Sequence, residues 1–414
     1  MAWTEMQNQA IHKRGGNCIV SAGAGSGKTA VLSERILTYC LDGKDICSFL
    51  VLTFTNAAAA EMKERIRKKL LDHQLKEQAS RIDSAFITTF DAYSLALVKK
   101  YYFHLNVDKD ITIMDQALLE VKKKEIVDSL FEELYTIKDK RFFSLLTKYT
   151  KQNDENVKKI ILSILAKLEL IVEEEEFCKQ YEMVYYNDKF IDSLVARYEK
   201  LALSKACEFY QALVKLEEAA STDPASDKLC EEVGHILSMA QIKAYDEAAL
   251  WLNSITLTRI SSKAADFVKD LKASCGDLLK EIKLKYFSKY VFLNEAKTEL
   301  YAIKEDVLYL LELALEVKHR LDAYKYELMA FDYMDIAKMA IKLVKTNKAV
   351  LEEIRNSFTE ILIDEYQDTS DIQEAFISYI SNHNCYMVGD IKQSIYRFRN
   401  ANPYIFKDKY SKYS

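Results

Sequence analysis

The middle of this sequence contains almost no residues that break helices. From residue 115 to residue 320 only two glycines and one proline interrupt a sequence rich in Lys, Glu, Leu and Ala. Apolar side chains recur there at helical spacing, as at Ile160, Ile161, Ile164 and Leu165, which is the pattern of amphipathic helices. We therefore predict an all-helical domain over residues 115–327, with its clearest internal loop near Pro224.

The two ends of the chain have a different pattern, in which short apolar runs alternate with amphipathic helical stretches. Fully apolar strands that alternate with helices indicate a parallel sheet covered by helices. The predicted strands are residues 18–20, 49–52, 86–87, 361–363 and 386–388, and the predicted helices are residues 28–40, 57–71, 92–102 and 371–380. We predict an α/β fold in which residues 1–114 and 328–414 form one sheet, with the helical domain inserted between them.

The composition narrows the class of protein. Hydrophobic residues make up 49% and charged residues 29%, as in soluble globular proteins, and no apolar run is long enough to predict a membrane span. The N-terminus does not resemble a signal sequence. The eight cysteines include no CxxC pair, so we interpret them as reduced thiols of a cytoplasmic protein. A net charge of -5 argues against a protein that coats DNA by bulk electrostatics, but it allows a local groove that grips a few nucleotides.

The strongest local motif has the sequence AGAGSGKT. It comprises Ala22, Gly23, Ala24, Gly25, Ser26, Gly27, Lys28 and Thr29. It follows a predicted strand and opens a predicted helix, which is the context of a loop that binds the phosphates of ATP. We expect Lys28 to contact the β and γ phosphates and the Thr29 hydroxyl to bind Mg²⁺. Ala22 stands where the strict pattern has glycine, and the alternative interpretation is a glycine-rich turn that binds nothing.

Two adjacent carboxylates, Asp364 and Glu365, follow the apolar run at residues 361–363. Ligands of open α/β sheets bind at the carboxyl ends of the strands. We expect Asp364 to hold Mg²⁺, directly or through water, and Glu365 to orient and deprotonate the attacking water. Acidic residues commonly follow strands, so the pair is informative only together with the phosphate loop.

Four ordered segments resemble motifs of the UvrD/Rep branch of superfamily 1 DNA helicases. DEYQDT at residues 364–369 is similar to the second motif, and VGDIKQSIYRFR at residues 388–399 is similar to the third. TFTNAAAAEM at residues 53–62 resembles motif Ia, and WTEMQ at residues 3–7 resembles the motif that lies upstream of the phosphate loop. With the phosphate loop itself, the resemblance covers both end segments well and the middle only by its position and helicity. It implies a RecA-like ATP-binding domain with an inserted domain like the family's helical 1B domain.

Within that family the sequence is most similar to the AddA-type helicase/nuclease subunits. Its third motif carries Lys392, where stand-alone UvrD-type motors usually have an acidic residue. Residues 87–94 resemble a segment of AddA and RecB subunits, with Asp91 in place of the usual histidine, and residues 331–335 match a segment that follows the insertion. The resemblance implies double-strand break repair and recombination, a substrate of single-stranded or duplex-end DNA, and a second subunit of AddB type. A stand-alone UvrD/Rep-type helicase is the nearest alternative.

The resemblance also implies roles for single residues at the nucleotide. Gln7 recognises the adenine edge, or is only a capping residue of the first helix. Gln393 senses the γ-phosphate and couples it to the DNA site, or is a buried amide that bridges strands. Arg399 contacts the nucleotide or the neighbouring lobe, or pairs with a surface carboxylate.

A further set of residues is implied to bind single-stranded DNA. Aromatic side chains stack on bases without regard to sequence, which suits a translocating motor. The expected stacking residues are Phe54, Tyr396 and Phe398, and the expected phosphate contacts are Thr55, Asn56 and Thr89. For each aromatic residue the alternative is simple core packing.

A complete motor of this family has a second RecA-like lobe that supplies arginine fingers. The sequence ends about fifteen residues after its third motif and contains nothing that resembles that lobe or a nuclease domain. We therefore expect this polypeptide alone to bind Mg·ATP weakly, to hydrolyse it slowly and not to unwind DNA. Two interpretations from other classes remain: a DNA-independent P-loop ATPase or kinase, and a folded nucleotide-binding module without catalytic activity.

Overall fold

The computed structural model describes residues 3–23, 25–150, 153–290, 292–394 and 400–413, and every structural statement below refers to these residues. The strands are β1 Cys18–Ser21, β2 Phe49–Thr53, β3 Phe86–Thr89, β4 Thr112–Ile113, β5 Ala330–Phe331, β6 Glu360–Ile363 and β7 Cys385–Gly389. The helices are α1 Glu5–His12, α2 Lys28–Leu41, α3 Asn56–Asp72, α4 Lys76–Ser80, α5 Phe90–Lys100, α6 Gln116–Thr136, α7 Lys140–Tyr149, α8 Glu155–Leu168, α9 Glu174–Tyr185, α10 Asp188–Ser221, α11 Asp227–Ser238, α12 Tyr245–Ser254, α13 Asp266–Ile282, α14 Leu293–Ala302, α15 Lys304–Leu328, α16 Tyr333–Thr346, α17 Lys348–Ser357, α18 Asp371–Ile380 and α19 Pro403–Tyr413. None of these helices, over the described residues, has both the length and the apolar character needed to cross a membrane.

The main sheet joins strands from both ends of the chain. Within the described residues it has five parallel strands in the order β1-β7-β6-β2-β3. Strand β7 therefore lies between the strand that precedes the phosphate loop and the strand that precedes Asp364. Parallel strands bring their carboxyl ends to one edge of the sheet, where ligands bind in open α/β folds. The α/β fold class with a parallel sheet and a helical insertion is confirmed.

Both faces of the sheet are covered by helices. On β2 and β6, alternate side chains point to opposite faces. Leu50, Leu52, Ile361 and Ile363 pack in one core with residues of α5, α16 and α18. Residues of α2 and α3 pack on the opposite face with Phe49, Val51, Leu362, Tyr386 and Val388. Because both faces are buried, these strands are continuously apolar, which is why they could be predicted as a parallel sheet.

A buried ion pair fixes the end of the sheet opposite the ligand edge. The Arg35 guanidinium on α2 donates two hydrogen bonds to Glu360 at the start of β6, with nitrogen–oxygen distances of 2.7 and 2.6 Å. The same guanidinium lies 4.3 Å from the ring centre of Tyr386 on β7 and donates to the Ala10 carbonyl of α1 at 2.8 Å. One buried arginine thus joins α1, α2 and strands β6 and β7.

The chain divides into two compact units. The first comprises residues 1–139, 153–174 and 314–414 and contains both sheets, and the second comprises residues 140–152 and 175–313. The described secondary structure of the second unit is entirely helical, with a core of residues from α10 to α13. Helices α6 and α8 and the later part of α15 belong to the first unit by this division. The predicted boundaries of the inserted helical domain, after residue 114 and after residue 327, remain a prediction.

Candidate functional site

The loop after β1 has the backbone of an anion-binding turn. Gly25 and Gly27 have φ of 72° and 79°, a left-handed conformation that only glycine adopts without strain. Helix α2 begins at Lys28 without a side-chain cap, so its first N–H groups are available to an anion. The Ser26 hydroxyl oxygen is buried and has no hydrogen-bond partner among the described residues. An oxygen-rich ligand such as a triphosphate fits these groups, while Ala24 lies outside the described residues.

Lys28 meets residues from distant parts of the chain. Its ammonium nitrogen lies 2.9 Å from Glu365 Oε2 and 3.5 Å from Gln393 Oε1. The Lys28 side chain is only 9% exposed. The residues that follow β1, β6 and β7 therefore converge at one edge of the sheet, as the predicted nucleotide site requires.

Asp364 has a poorly compensated charge. Burial first, and then the neighbouring Glu365 carboxylate, raise the pKa of its carboxyl to about 6, whereas Lys28 opposes the shift. Its Oδ1 accepts a hydrogen bond from the Glu365 N–H at 3.0 Å. Over the described residues no group of three or more His, Cys, Asp or Glu side chains has the arrangement of a metal site. The donors for Mg²⁺ would be Asp364, the Thr29 hydroxyl and phosphate oxygens, which are the hard oxygen ligands that Mg²⁺ prefers.

Glu365 has an unusual backbone conformation. Its φ of 50° and ψ of 45° are left-handed, which is uncommon for a residue with a side chain and concentrates at functional sites. Adjacent residues of a regular strand point to opposite faces. The left-handed turn after Asp364 ends that alternation, and the Glu365 carboxylate reaches Lys28.

Five residues form a closed ring of hydrogen bonds at this edge, in which one donor is the Asp390 backbone N–H. Lys28 and Gln367 both donate to Glu365 Oε2, with distances of 2.9 and 2.8 Å. Gln367 Oε1 accepts from the Asp390 N–H at 2.9 Å. Gln393 Nε2 donates to Asp390 Oδ2 at 2.6 Å, and Gln393 Oε1 faces Lys28. We predicted roles for Lys28, Glu365 and Gln393 but not for Gln367 or Asp390, whose only signal was their place inside the second and third motifs.

Gln7 caps the first helix and also contacts the phosphate loop. It caps α1, because its Oε1 accepts the Thr4 N–H at 2.9 Å and its own N–H donates to the Thr4 hydroxyl. Its Nε2 also donates to the Ser26 carbonyl of the phosphate loop at 3.0 Å. The amide is thus held at the loop, where an adenine contact remains a prediction.

Two of the residues expected to bind DNA, Phe54 and Thr89, line a cleft beside Asp364. This cleft has a volume of about 230 Å³, and its lining includes Phe54, Thr89 and Asp91. The Thr55 and Thr89 hydroxyls accept the N–H groups of the third residues of α3 and α5, so both threonines also cap helices. Asn56 is exposed as the first residue of α3. Tyr396, Phe398 and Arg399 lie outside the described residues, and their expected contacts stay predictions.

Comparison with known proteins agrees with these motifs. Residues 3–414 match the profile of the UvrD/REP helicase N-terminal domain. The chain is 33% identical over 458 residues to the AddA-type ATP-dependent helicase/nuclease subunit of Thermoanaerobacter sp. (strain X514), covering 100% of this chain and 37% of that protein. It is 32% identical over 464 residues to the protein of the same name from Clostridioides difficile (strain 630), covering 100% of this chain and 36% of the relative. The chain therefore spans little more than a third of the length of these relatives.

Proposed function

We propose that this chain, which belongs to the UvrD/REP helicase family, forms the ATP-binding lobe of an AddA-type DNA helicase. The observation that carries the proposal is the convergence of Lys28, Glu365 and Gln393 beside a phosphate-binding loop. A family match alone predicts an ATP site. The convergence adds that the basic, acidic and amide side chains proposed to act in hydrolysis share one edge of the sheet.

The proposed roles follow from the chemistry of phosphoryl transfer. Lys28 and the N–H groups of the loop bind the triphosphate, and Thr29 and Asp364 hold Mg²⁺. Mg²⁺, when bound, supplies positive charge beside the β and γ phosphates. Glu365 orients a water molecule and accepts its proton, and Gln393 responds to the γ-phosphate. The poorly compensated carboxyl of Asp364 supports its assignment to the cation.

The remaining assignments concern the base and the DNA. We propose that Gln7 contacts adenine and that the cleft containing Phe54 and Thr89 receives single-stranded DNA, with Thr55 and Asn56 at its phosphates. The assignments of Tyr396, Phe398 and Arg399 rest on the third motif alone. For the whole protein we propose unwinding of duplex-end DNA in double-strand break repair, together with a second RecA-like lobe, a nuclease domain and an AddB-type subunit. The relatives' name, which describes a helicase/nuclease subunit, supports this assignment.

The nucleotide site is tested by replacing Lys28. A fluorescent ATP analogue is titrated into the chain with Mg²⁺, with and without a single-stranded oligonucleotide. We expect Lys28→Ala to weaken binding at least about tenfold, because the main positive charge at the phosphates is lost. Lys44→Ala removes an exposed lysine on the loop after α2 and should leave the affinity unchanged.

The titration also separates the competing interpretations. Equal affinities of the parent and Lys28→Ala would contradict the proposed site. Binding without any cleavage of ATP in a single-turnover assay would favour a nucleotide-binding module. Binding and cleavage that oligonucleotide never changes would favour a DNA-independent ATPase.

A further inference from the structure

Gln367, like Asp390, is a member of the hydrogen-bonded ring to which nothing in the family resemblance assigned a role. We propose that Gln367 is a positioning residue for ATP hydrolysis: its side-chain amide holds the Glu365 carboxylate and links it to the segment that carries Gln393. The inference rests on the proposed function, because it concerns the hydrolysis that Glu365 is proposed to assist.

The Gln367 side chain is fixed by its partners. The residue is 1% exposed. Its Nε2 donates to Glu365 Oε2 at 2.8 Å and to Asp368 Oδ2 at 3.1 Å, and its Oε1 accepts the Asp390 N–H at 2.9 Å. An amide turned by half a rotation would place its oxygen against two carboxylates and its NH₂ against an N–H group. Only one orientation of the amide therefore satisfies this environment.

The amide becomes most important when nucleotide is present. In the described structure Glu365 Oε2 accepts from both Lys28 and Gln367. The proposed function requires Lys28 to contact the phosphates, so Glu365 then loses one of its two donors. Gln367 remains as a neutral donor on Oε2, which keeps the carboxylate in place and leaves Oε1 free for the attacking water.

The ring also contains a connection that does not pass through Lys28. Gln367 contacts the backbone N–H of Asp390, and the Asp390 carboxylate accepts from Gln393 Nε2. A displacement of Gln393 by the γ-phosphate would thus reach Glu365 through Asp390 and Gln367. The sensing amide and the proton acceptor are coupled by contacts within hydrogen-bonding distance at each step.

Gly389 provides independent support, because it leaves the space that the Gln367 amide fills. A Cβ atom at residue 389 would lie 2.4 Å from Gln367 Oε1, 3.0 Å from Phe406 Cε2 and 3.1 Å from the Gln367 backbone nitrogen. Any side chain here must displace Gln367. Gly389→Ala therefore moves the amide without changing its chemistry.

The experiment compares nucleotide binding with single-turnover hydrolysis at excess protein. Gln367→Met keeps the approximate volume but removes the donor, and Gln367→Glu keeps the shape but removes the donor at neutral pH. For both variants we expect the rate constant for hydrolysis to fall about tenfold to a hundredfold, with affinity for the Mg²⁺ complex of the ATP analogue within about threefold of the parent. Gly389→Ala should give the same division between rate and affinity. Gln78→Glu is the matched control, because the Gln78 side chain accepts the Ile46 N–H and, among the described residues, has no hydrogen bond to the ring.

The pH profile separates positioning from a general structural role. The carboxyl introduced by Gln367→Glu would face the carboxylates of Glu365 and Asp368, which lie on its own turn, and Asp390, which follows β7. The positively charged group near this cluster is Lys28. Its carboxylate neighbours favour protonation, and a protonated carboxyl can donate to Glu365. The ratio of the Gln367→Glu rate to the parent rate should therefore rise as the pH falls from 8 to 6, whereas the Gln367→Met ratio should stay constant.

Each outcome decides the inference. A normal hydrolysis rate in Gln367→Met overturns it, and so does a loss of rate that is matched by an equal loss of nucleotide affinity or of unfolding free energy. A parent that binds ATP but never cleaves it removes the reaction and overturns the inference together with the proposed hydrolysis. A parent that cleaves ATP while Gln367→Met is unaffected leaves the proposed function standing and refutes Gln367 alone.

Discussion

Replacing Asp364 with asparagine should make the nucleotide-free protein more stable while it removes a proposed Mg²⁺ ligand. The pKa of the Asp364 carboxyl is raised from 3.8 to about 6, first by burial and then by Glu365. One pKa step corresponds to about 1.4 kcal/mol, so the ionised carboxylate costs the folded state up to about 3 kcal/mol. Asparagine has no charge to bury, and its side-chain oxygen can still accept the Glu365 N–H.

The sign of the pH dependence follows from the raised pKa. Because the folded state binds the proton more tightly, the cost is absent below about pH 4, grows between pH 4 and pH 6, and is complete above pH 6. Urea unfolding in EDTA should give Asp364→Asn an advantage of about 1–3 kcal/mol at pH 7.5, allowing for relaxation of the site. The advantage should shrink towards zero near pH 4.

A matched control is Asp110→Asn, since Asp110 is exposed; it should change the free energy of unfolding by less than about 0.5 kcal/mol. A destabilised Asp364→Asn protein, or an advantage that is the same at pH 4 and pH 7.5, would show that the carboxylate is already compensated in the folded state.

Two further predictions concern the opposite end of the sheet and the cleft. Arg35→Met leaves the Glu360 carboxylate buried without its partner and should lower the free energy of unfolding by about 3–5 kcal/mol in urea denaturation. Adding Glu360→Leu should recover most of the lost free energy. A small loss in the single variant would contradict a tightly coupled pair. Phe54→Ala should weaken salt-dependent binding of single-stranded DNA at least about fivefold. Phe103→Ala, which removes an exposed ring, should not weaken it. Equal affinities of the parent and Phe54→Ala for DNA would place the DNA elsewhere.

Local patterns in the sequence predicted the sheet and the phosphate loop well. All five main strands were predicted within two residues of their observed ends, because strands buried on both faces are continuously apolar. The helix predicted from residue 92 begins instead at Phe90, because Thr89 caps it. Helices α16 and α17 were not predicted, and Asn347 both ends the first and caps the second. The resemblance to UvrD/Rep helicases is confirmed by the match over residues 3–414.

The partners of the buried polar residues could not be predicted in the same way. Arg35 pairs with Glu360 and Gln367 contacts Asp390 because of the order of the strands, and local periodicity does not determine that order. The left-handed backbone of Glu365 could not be predicted either, since the strand that ends at Ile363, two residues earlier, is an ordinary apolar strand. The sequence motifs predicted residues of the candidate site, whereas the three-dimensional fold determines the contacts between them.

The strand order has a consequence for the assembly of the protein during synthesis. Of the described strands β1 is synthesised before the others, yet its hydrogen-bonding neighbour in the sheet is β7, which ends at Gly389. β2 and β3 can pair with each other early, but among the described strands β1 has no neighbour until β7 has been made. Contacts between segments that are so far apart in the sequence form slowly. A nascent chain released before Gly389 would carry the complete phosphate-loop sequence on an unpaired strand.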